Sequence, residues 1–198
     1  MSTEKMSTDI RKEQIVEAAL RVLSDKSIKQ LNIVDIAKEM GLTPSALYRH
    51  FKNKNAMMSG VLELIRTKLF HNVELVRQQS DDAVERLHEL LCLHARLIAE
   101  EHGIPKIVFS DELWGQKRER RQKMYRIITG YLAEIEDIIR DGQDKKQLRD
   151  DIEARTLAAM FFGIIQPAAL LWHMSEGQFN LDRHMTESWE LFLGTIKE

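Results

Sequence analysis

The feature that most constrains the fold is a nearly unbroken series of helical patterns along the chain. Only three prolines and nine glycines interrupt 198 residues. Apolar residues recur at intervals of three and four instead of alternating as they do in strands. This pattern predicts an all-α fold. The apolar fraction of 43% and the charged fraction of 30% are those of a globular chain with a core.

Cysteine content and the N-terminal sequence exclude several classes of protein. The single cysteine, Cys92, has no partner for an intramolecular disulfide, so a disulfide-stapled secreted fold is excluded. Residues 1–14 are polar and lack the apolar stretch of a signal peptide. The longest apolar run, residues 157–174, is interrupted by Gln166 and Pro167, which favours a buried helix over a membrane span. We therefore expect a cytoplasmic protein with no membrane partner.

Residues 32–54 carry the pattern of two short helices joined by a tight turn. Asn32 is a suitable N-cap for the first helix, and Gly41 can adopt the positive φ that ends it. Thr43 is a suitable cap for the second helix, and Pro44 occupies its first turn. Two short helices around a glycine-containing turn form the helix-turn-helix unit, so we expect a DNA-reading head here.

The second helix of this unit presents side chains suited to DNA. Hydroxyls, a phenol, a guanidinium and an imidazole fit phosphate oxygens and base edges, and the lysines that follow add phosphate-binding charge. Tyr48 is favoured as a phosphate contact, while a packing role stays open for His50. The candidate DNA-binding residues are Asn32, Thr43, Pro44, Ser45, Ala46, Tyr48, Arg49, His50, Lys52 and Lys54.

Charge is distributed unevenly between the two ends of the chain. Residues 1–55 carry 10 Lys/Arg against 7 Asp/Glu, and the remainder carries 19 against 24. A basic head on an acidic body is typical of a nucleic-acid-binding domain joined to a domain with another task. We therefore expect a DNA-binding domain over residues 1–55 and a helical domain over residues 56–198. A long fourth helix joins them, and about nine helices are expected in all.

The string GLTPSALYRHFKNK, which follows LNIVDIAKEM, closely resembles the TetR family of bacterial transcriptional regulators. The resemblance implies a homodimer whose two heads dock in successive major grooves of a palindromic operator. It also implies that the last two helices form the dimer core, and that a small molecule bound among the middle helices releases the DNA. We therefore expect a repressor with a small hydrophobic or amphipathic effector and no cofactor.

The resemblance assigns roles within the reading head. The positions that match phosphate-contacting sites are Thr43, Tyr48, His50 and Lys54. The positions that face the bases are Ser45, Ala46 and Arg49. Some relatives carry a base-reading arginine in the first helix of the helix-turn-helix unit, where this chain has Val34 followed by Asp35. We therefore expect the second helix of the unit, which is the third helix of the chain, to read the operator.

Apolar and aromatic residues of the body suit either an ordinary core or the wall of a ligand cavity. The candidate pocket residues are Cys92, Phe109, Leu113, Trp114, Met124, Tyr125, Ile128, Phe162 and Gln166. Both final helices have broad apolar faces, which predicts that they pair with a second copy. The candidate dimer-interface residues are Ala158, Phe161, Ile165, Leu170, Trp189, Phe192 and Leu193.

Several alternatives stay open at this point. His88 and Cys92 have helical i,i+4 spacing, but a buried cysteine is favoured over a metal site because no further ligand cluster is visible. The basic run at residues 117–123 suits a solvated helix face or a contact with nucleic acid. The body is alternatively a platform that docks proteins and takes no effector. An all-helical enzyme is disfavoured, and no catalytic residue is predicted.

Overall fold

The computed structural model describes residues 3–114 and 118–197, with side chains from Ile10 onward except those of Glu112 and Trp114. Within these ranges the chain forms helices and no strand, which confirms the all-α fold class. The helices are α1 Thr3–Asp25, α2 Ile33–Glu39, α3 Pro44–Tyr48, α4 Lys54–Gln79, α5 Ala83–Glu100, α6 Gly103–Val108, α7 Asp111–Trp114, α8 Arg118–Asp144, α9 Ala154–Met174 and α10 Leu181–Ile196.

The described ranges thus hold ten helices, where the sequence predicts about nine. The segment between α5 and α8 holds two short helices, and the first of them, α6, begins at Gly103. Pro105 is compatible with this helix because it lies in the first turn, where backbone N–H groups have no partner within the helix.

The helices of the helix-turn-helix segment begin and end at the capping, glycine and proline residues that predict them. The side chain of Asn32 accepts a hydrogen bond from the backbone N–H of Asp35 at 2.8 Å, which caps α2. Gly41 has a φ of +63°, a conformation that favours glycine, and it ends this helix. Pro44 is the first residue of α3. Short-range signals therefore fix the local geometry of the unit.

Contacts between residues divide the chain into two compact units. The first contains Met1–Thr67 and Glu101–Met124, and the second contains Lys68–Glu100 and Tyr125–Glu198. The first unit extends beyond the DNA-binding domain expected at residues 1–55, because α6 packs on α1. Helices α4 and α8 each run through both units without a break, so no flexible linker lies within α4.

The first unit is built on the buried face of α1. Ile15, Ala19 and Leu23 are fully buried there, and α6 approaches this helix closely. The backbone of Gly103 lies against Leu20, and Lys106 donates a hydrogen bond to the backbone carbonyl of Ser24. Since α1 also packs on α2, the helix connects α6 to the helix-turn-helix unit.

The second unit has its core where α5, α9 and α10 meet. Phe161 of α9 is fully buried and its ring centroid lies 5.7 Å from that of Phe192 of α10, in an edge-on arrangement. Trp189 extends this cluster, with its ring centroid 6.1 Å from that of Phe192. The contact between Phe161 and Phe192 joins the two last helices within one protomer.

Candidate functional site

Helix α3 presents a polar surface over an apolar anchor. Leu47 is fully buried and Phe51 is 8% exposed, so these two side chains attach the helix to the first unit. Tyr48 is 54% exposed, and Ser45 and Arg49 are exposed as well. The candidate DNA-binding side chains of α3 therefore lie on the solvent side, where the sequence places them.

The hydroxyls at the start of α3 bind each other. Thr43 precedes the helix with the extended backbone of an N-cap, but its side chain makes no capping hydrogen bond. Its Oγ1 instead lies 3.0 Å from the Oγ of Ser45. Thr43 is therefore the N-cap residue, as predicted, but its hydroxyl pairs with the hydroxyl of Ser45 instead of a backbone N–H.

His50 lies half-buried at the end of α3, beside several cations. Its Nδ1 is buried and has no hydrogen-bond partner among the described residues. Burial lowers the pKa of His50, and the charges of Arg11, Lys12 and Arg49 lower it further. The imidazole is therefore neutral near pH 7, and a protonated form would add to an already positive surface.

The two candidate lysines differ in their surroundings. Lys52 is exposed, whereas Lys54 is half-buried and its Nζ donates a hydrogen bond to the backbone carbonyl of Lys29 at 3.0 Å. Lys54 is also the first residue of α4, and Asn53 caps this helix by accepting from the N–H of Ala56 at 2.9 Å. The start of α4 is thus bonded directly to the loop before α2.

A cationic pocket lies in the first unit, between the N-terminal turns of α4 and α8. Its volume is about 290 Å³, and it is lined by Asn55, Ser59, Leu62, Arg118, Glu119, Arg120 and Lys123. Nη2 of Arg120 donates to Oδ1 of Asn55 at 2.7 Å. Nζ of Lys123 donates to the backbone carbonyl of Ser59 at 2.8 Å. We call this site the α4–α8 pocket.

The α4–α8 pocket contains functional candidates that the sequence analysis did not select. Arg118, Arg120 and Lys123 belong to the basic run that the sequence leaves as a solvated face or a nucleic-acid contact. The high density of positive charge in this run is the sequence feature that indicated a possible anion-binding site. The polar residues of α4 that complete the pocket lie far away in sequence and carried no signal of their own.

A second depression, of about 380 Å³, runs between α5 and α10 in the second unit. Cys92 lies half-buried in its wall, and burial raises the pKa of its thiol. The His88 ring contacts Trp189, with centroids 5.0 Å apart. The described residues contain no group of three His, Cys, Asp or Glu side chains placed to hold a metal.

The predicted ligand-pocket residues do not form one cavity within the described structure. Cys92 lines the depression between α5 and α10, and none of the seven other candidates with described side chains lines either that depression or the α4–α8 pocket. Tyr125 is 68% exposed and points to solvent, because the neighbouring Met124 takes the buried side of α8. The side chain of Trp114 lies outside the described residues.

The remaining pocket candidates divide by burial. Leu113 and Met124 are buried core residues. Half-buried positions are Phe109, Ile128, Phe162 and Gln166. The two units share this set between them, with Phe109, Leu113 and Met124 in the first unit.

Most predicted dimer-interface residues are core residues of the protomer. Relative exposure is 8% or less for Ala158, Phe161, Ile165, Trp189 and Phe192. These five side chains are covered by their own protomer, which leaves them little surface for a partner, and their role at an interface stays a prediction. Leu193 is half-buried, and Leu170 is 38% exposed and lies on the outer face of α9.

That outer face is an exposed apolar stripe. Met160, Gly163, Pro167, Leu170 and Met174 are all exposed and follow a spacing of three and four residues, so they share one side of α9. We call these five residues the α9 stripe. Leu191 of α10 is also exposed, at 78%. A contiguous apolar surface of this kind is typical of an interaction site.

Helix α9 also meets the length and composition required to cross a membrane, alone among the helices of the described ranges. Its buried face packs on α5 and α10. The high apolar content of α9 is therefore explained by two faces, one in the core of the protomer and one exposed.

A buried polar pair links α5 to α8 in the second unit. Nδ1 of His94 lies 3.1 Å from the hydroxyl of Tyr131, and both side chains are buried. Burial lowers the pKa of His94 to about 4 and raises that of Tyr131. Both groups are therefore neutral near pH 7, and one hydrogen bond satisfies them mutually.

Comparison with known proteins covers nearly the whole chain. The family model described as "Bacterial regulatory proteins, tetR family" matches residues 15–61. A second model, described as "YsiA-like protein, C-terminal region", matches residues 65–195. The first match contains the helix-turn-helix unit, and the second contains the helices that follow it.

Similar individual proteins are named as regulators or as nucleoid occlusion factors. A fatty acid metabolism regulator protein of Bacillus subtilis is 27% identical over 92% of this chain and 94% of its own length. The crystal structure of the regulator FadR from Bacillus subtilis with stearoyl-CoA has a TM-score of 0.75 and 27% identity, covering 90% of this chain and 96% of that one. Nucleoid occlusion factor SlmA of Shewanella pealeana is 22% identical over 90% of this chain and 91% of its own.

Proposed function

The chain belongs to the TetR family of bacterial transcriptional regulators, and from this premise we propose that it is a dimeric repressor which an acyl-CoA thioester releases from its operator. One observation carries the proposal: similarity to the regulator that was solved with stearoyl-CoA spans both the reading head and the body. The protein then acts in the cytoplasm, on DNA. We assign it no catalytic role.

DNA recognition is proposed to rest on α3. Its exposed Ser45 and Arg49, with Ala46 beside them, suit base edges in the major groove. Helix α2 offers Val34, which is exposed and apolar, and Asp35, whose carboxylate pairs with Lys26 at 2.8 Å. Neither residue favours a guanine edge, so the third helix is left as the reader.

Phosphate contacts are proposed to position the head. The residues assigned to them are Thr43, Tyr48, His50, Lys52 and Lys54. Exposed hydroxyl and ammonium groups around α3 fit phosphate oxygens on both sides of a groove. The bond from Lys54 to the carbonyl of Lys29 holds one of these cations at the start of α4.

Dimerisation is proposed to use the α9 stripe. The stripe has the spacing of a helix–helix seam, and its apolar residues are exposed in the single protomer. Leu191 of α10 adds a further exposed apolar side chain. Pairing of two copies through these helices places two reading heads on one palindromic operator, as two-fold symmetry requires.

The effector class is proposed from chemistry and similarity together. A long acyl chain is apolar, and the CoA group carries several negative phosphates. The α4–α8 pocket offers three cations, whereas the described body offers apolar residues in quantity. An amphipathic effector with an anionic head uses both kinds of surface.

The test selects genomic DNA fragments with the purified protein and then adds stearoyl-CoA, with stearate and free CoA as controls. Release of the selected fragments by stearoyl-CoA at concentrations that leave them bound with the controls supports the proposal. Selective DNA binding that no acyl-CoA affects would instead favour a body that docks another protein.

A further inference from the structure

We propose that the α4–α8 pocket binds the phosphate-bearing head of the effector, and that its cations otherwise latch α8 onto the first turns of α4. This inference rests on the proposed function for its effector class. It adds the place where the head binds and the bonds that the head displaces.

The charge of the pocket fits a phosphate group. Arg118, Arg120 and Lys123 contribute three positive charges and Glu119 one negative charge, so the lining has an excess of cations. Phosphates accept strong, charge-assisted hydrogen bonds from guanidinium and ammonium groups. The hydroxyl of Ser59 adds a neutral polar partner.

The size of the pocket limits what it takes. A volume of about 290 Å³ is at the lower end of the roughly 300–1,000 Å³ typical of small-molecule sites. It therefore accommodates a phosphate or diphosphate group and leaves the acyl chain to extend elsewhere. Leu62 supplies an apolar part of the wall.

The same cations hold α8 against α4. Arg120 donates to the side chain of Asn55 at 2.7 Å, and Lys123 donates to the carbonyl and hydroxyl oxygens of Ser59 at 2.8 and 3.1 Å. Lys123 also pairs with Glu63 at 3.1 Å, which lowers the pKa of that carboxyl. Four acceptors on α4, two of them neutral groups of Ser59, thus share two cations of α8.

An incoming phosphate competes directly with these acceptors. Asn55 and Ser59 offer these cations neutral oxygens, whereas a phosphate adds a full negative charge and its Coulomb attraction, so a phosphate draws Arg120 and Lys123 away from Asn55 and Ser59. These acceptors lie in the first turns of α4, which begins at Lys54. Lys54 is bonded to the loop before α2, and both belong to the first compact unit. A shift of the first turns of α4 should therefore also shift the helix-turn-helix unit.

The experiment compares R118Q/K123Q with R121Q. Arg121 is exposed on the same helix and does not line the pocket, so R121Q removes a charge without altering the site. Calorimetry measures binding of CoA alone, and DNA release is titrated with stearoyl-CoA and with stearate. Melting by circular dichroism verifies that each variant is folded.

We expect CoA to bind the wild type and R121Q alike, and R118Q/K123Q at least about ten-fold more weakly, since one lost charge-assisted bond changes affinity by about that factor. The stearoyl-CoA concentration for half-release should rise similarly in R118Q/K123Q. N55A removes an acceptor of the latch and keeps every cation, so it should lower that concentration.

Other outcomes overturn the inference. If CoA does not bind the wild type, or if it binds R118Q/K123Q and R121Q equally, the phosphate-bearing head of the effector binds elsewhere. Inorganic phosphate that displaces CoA at equal concentration reveals a general anion site. Weakened DNA binding by the single variant R118Q without ligand, beyond that of R121Q, assigns the cations to DNA, because Arg118 is not one of the two cations bonded to α4. Stearate as effective as stearoyl-CoA contradicts the proposed effector, whatever CoA does.

Discussion

Gly103 lies so close to Leu20 that a Cβ atom at position 103 would stand 2.5 Å from the Leu20 carbonyl oxygen and 2.8 Å from its Cδ1. Backbone cannot yield as a flexible side chain does, so G103A should separate α6 from α1. Forced packing of this kind costs about 1–3 kcal/mol. We expect a lower melting temperature for G103A by circular dichroism.

The matched control is G194A in α10. A Cβ at position 194 has no neighbouring atom within 4 Å, and alanine is favoured over glycine within a helix by roughly 0.5–1 kcal/mol. G194A should therefore melt at the wild-type temperature or slightly above it. A G103A variant as stable as G194A would show that α6 is free to move away from α1.

The His94–Tyr131 pair predicts a pH dependence of stability. The pKa of His94 is about 4 in the folded state and about 6.5 in an unfolded chain. Between these values only the unfolded chain binds the proton. The free energy of unfolding therefore falls as pH decreases from 6.5 towards 4, by about 1.4 kcal/mol per unit. Urea unfolding across this range measures the slope.

Substitution isolates this contribution. H94Q removes the titrating group, so it should flatten the slope while lowering the stability at pH 7. H71Q, which changes an exposed histidine of α4, should retain the wild-type slope. His50 also has a lowered pKa, so some slope will remain in H94Q. An H94Q slope equal to that of H71Q would contradict the assignment.

The reading head was predictable because its signals are local. The cap at Asn32, the positive φ of Gly41 and the proline that begins α3 each act within a few residues, and all three are confirmed. Buried Leu47 and exposed Tyr48 likewise follow the helical period. The predicted roles of these residues on DNA remain predictions.

The faces of α9 were not predictable in the same way. Positions 158, 161 and 165 have the same three-and-four spacing as the α9 stripe, and both rows are apolar or small. A helix that is apolar on all sides does not reveal which row packs inside its own protomer. Phe192 and Trp189, which select the row of Phe161, come from a distant part of the chain.

Tyr48→Phe tests the phosphate contact. The exposed hydroxyl is the only group removed, so binding to every DNA sequence should weaken about equally, by around 1 kcal/mol. Fluorescence anisotropy with operator and unrelated duplexes measures both affinities. A loss confined to the operator would make Tyr48 a base reader instead.

Arg49→Ala tests base reading. If the guanidinium reaches a guanine edge, the preference at one operator position should relax by about 1–3 kcal/mol. Selection from a randomised operator shows this as one position with lost preference. Arg21→Ala, which changes an exposed arginine of α1 paired with Glu39, is the control and should leave every position unchanged. Uniform weakening in Arg49→Ala would assign Arg49 to a phosphate.

Leu170→Glu combined with Met174→Glu tests the α9 stripe. These side chains are 38% and 70% exposed in the protomer, so the protomer should fold normally with glutamate there. In a dimer the new carboxylates would be buried against apolar groups without partners, a strongly unfavourable arrangement. Sedimentation should therefore show a monomer at micromolar concentration.

The control, Tyr125→Glu, makes the same kind of change at an exposed position of α8 and should remain dimeric. A double variant that sediments as the control does would exclude the stripe as the dimer interface.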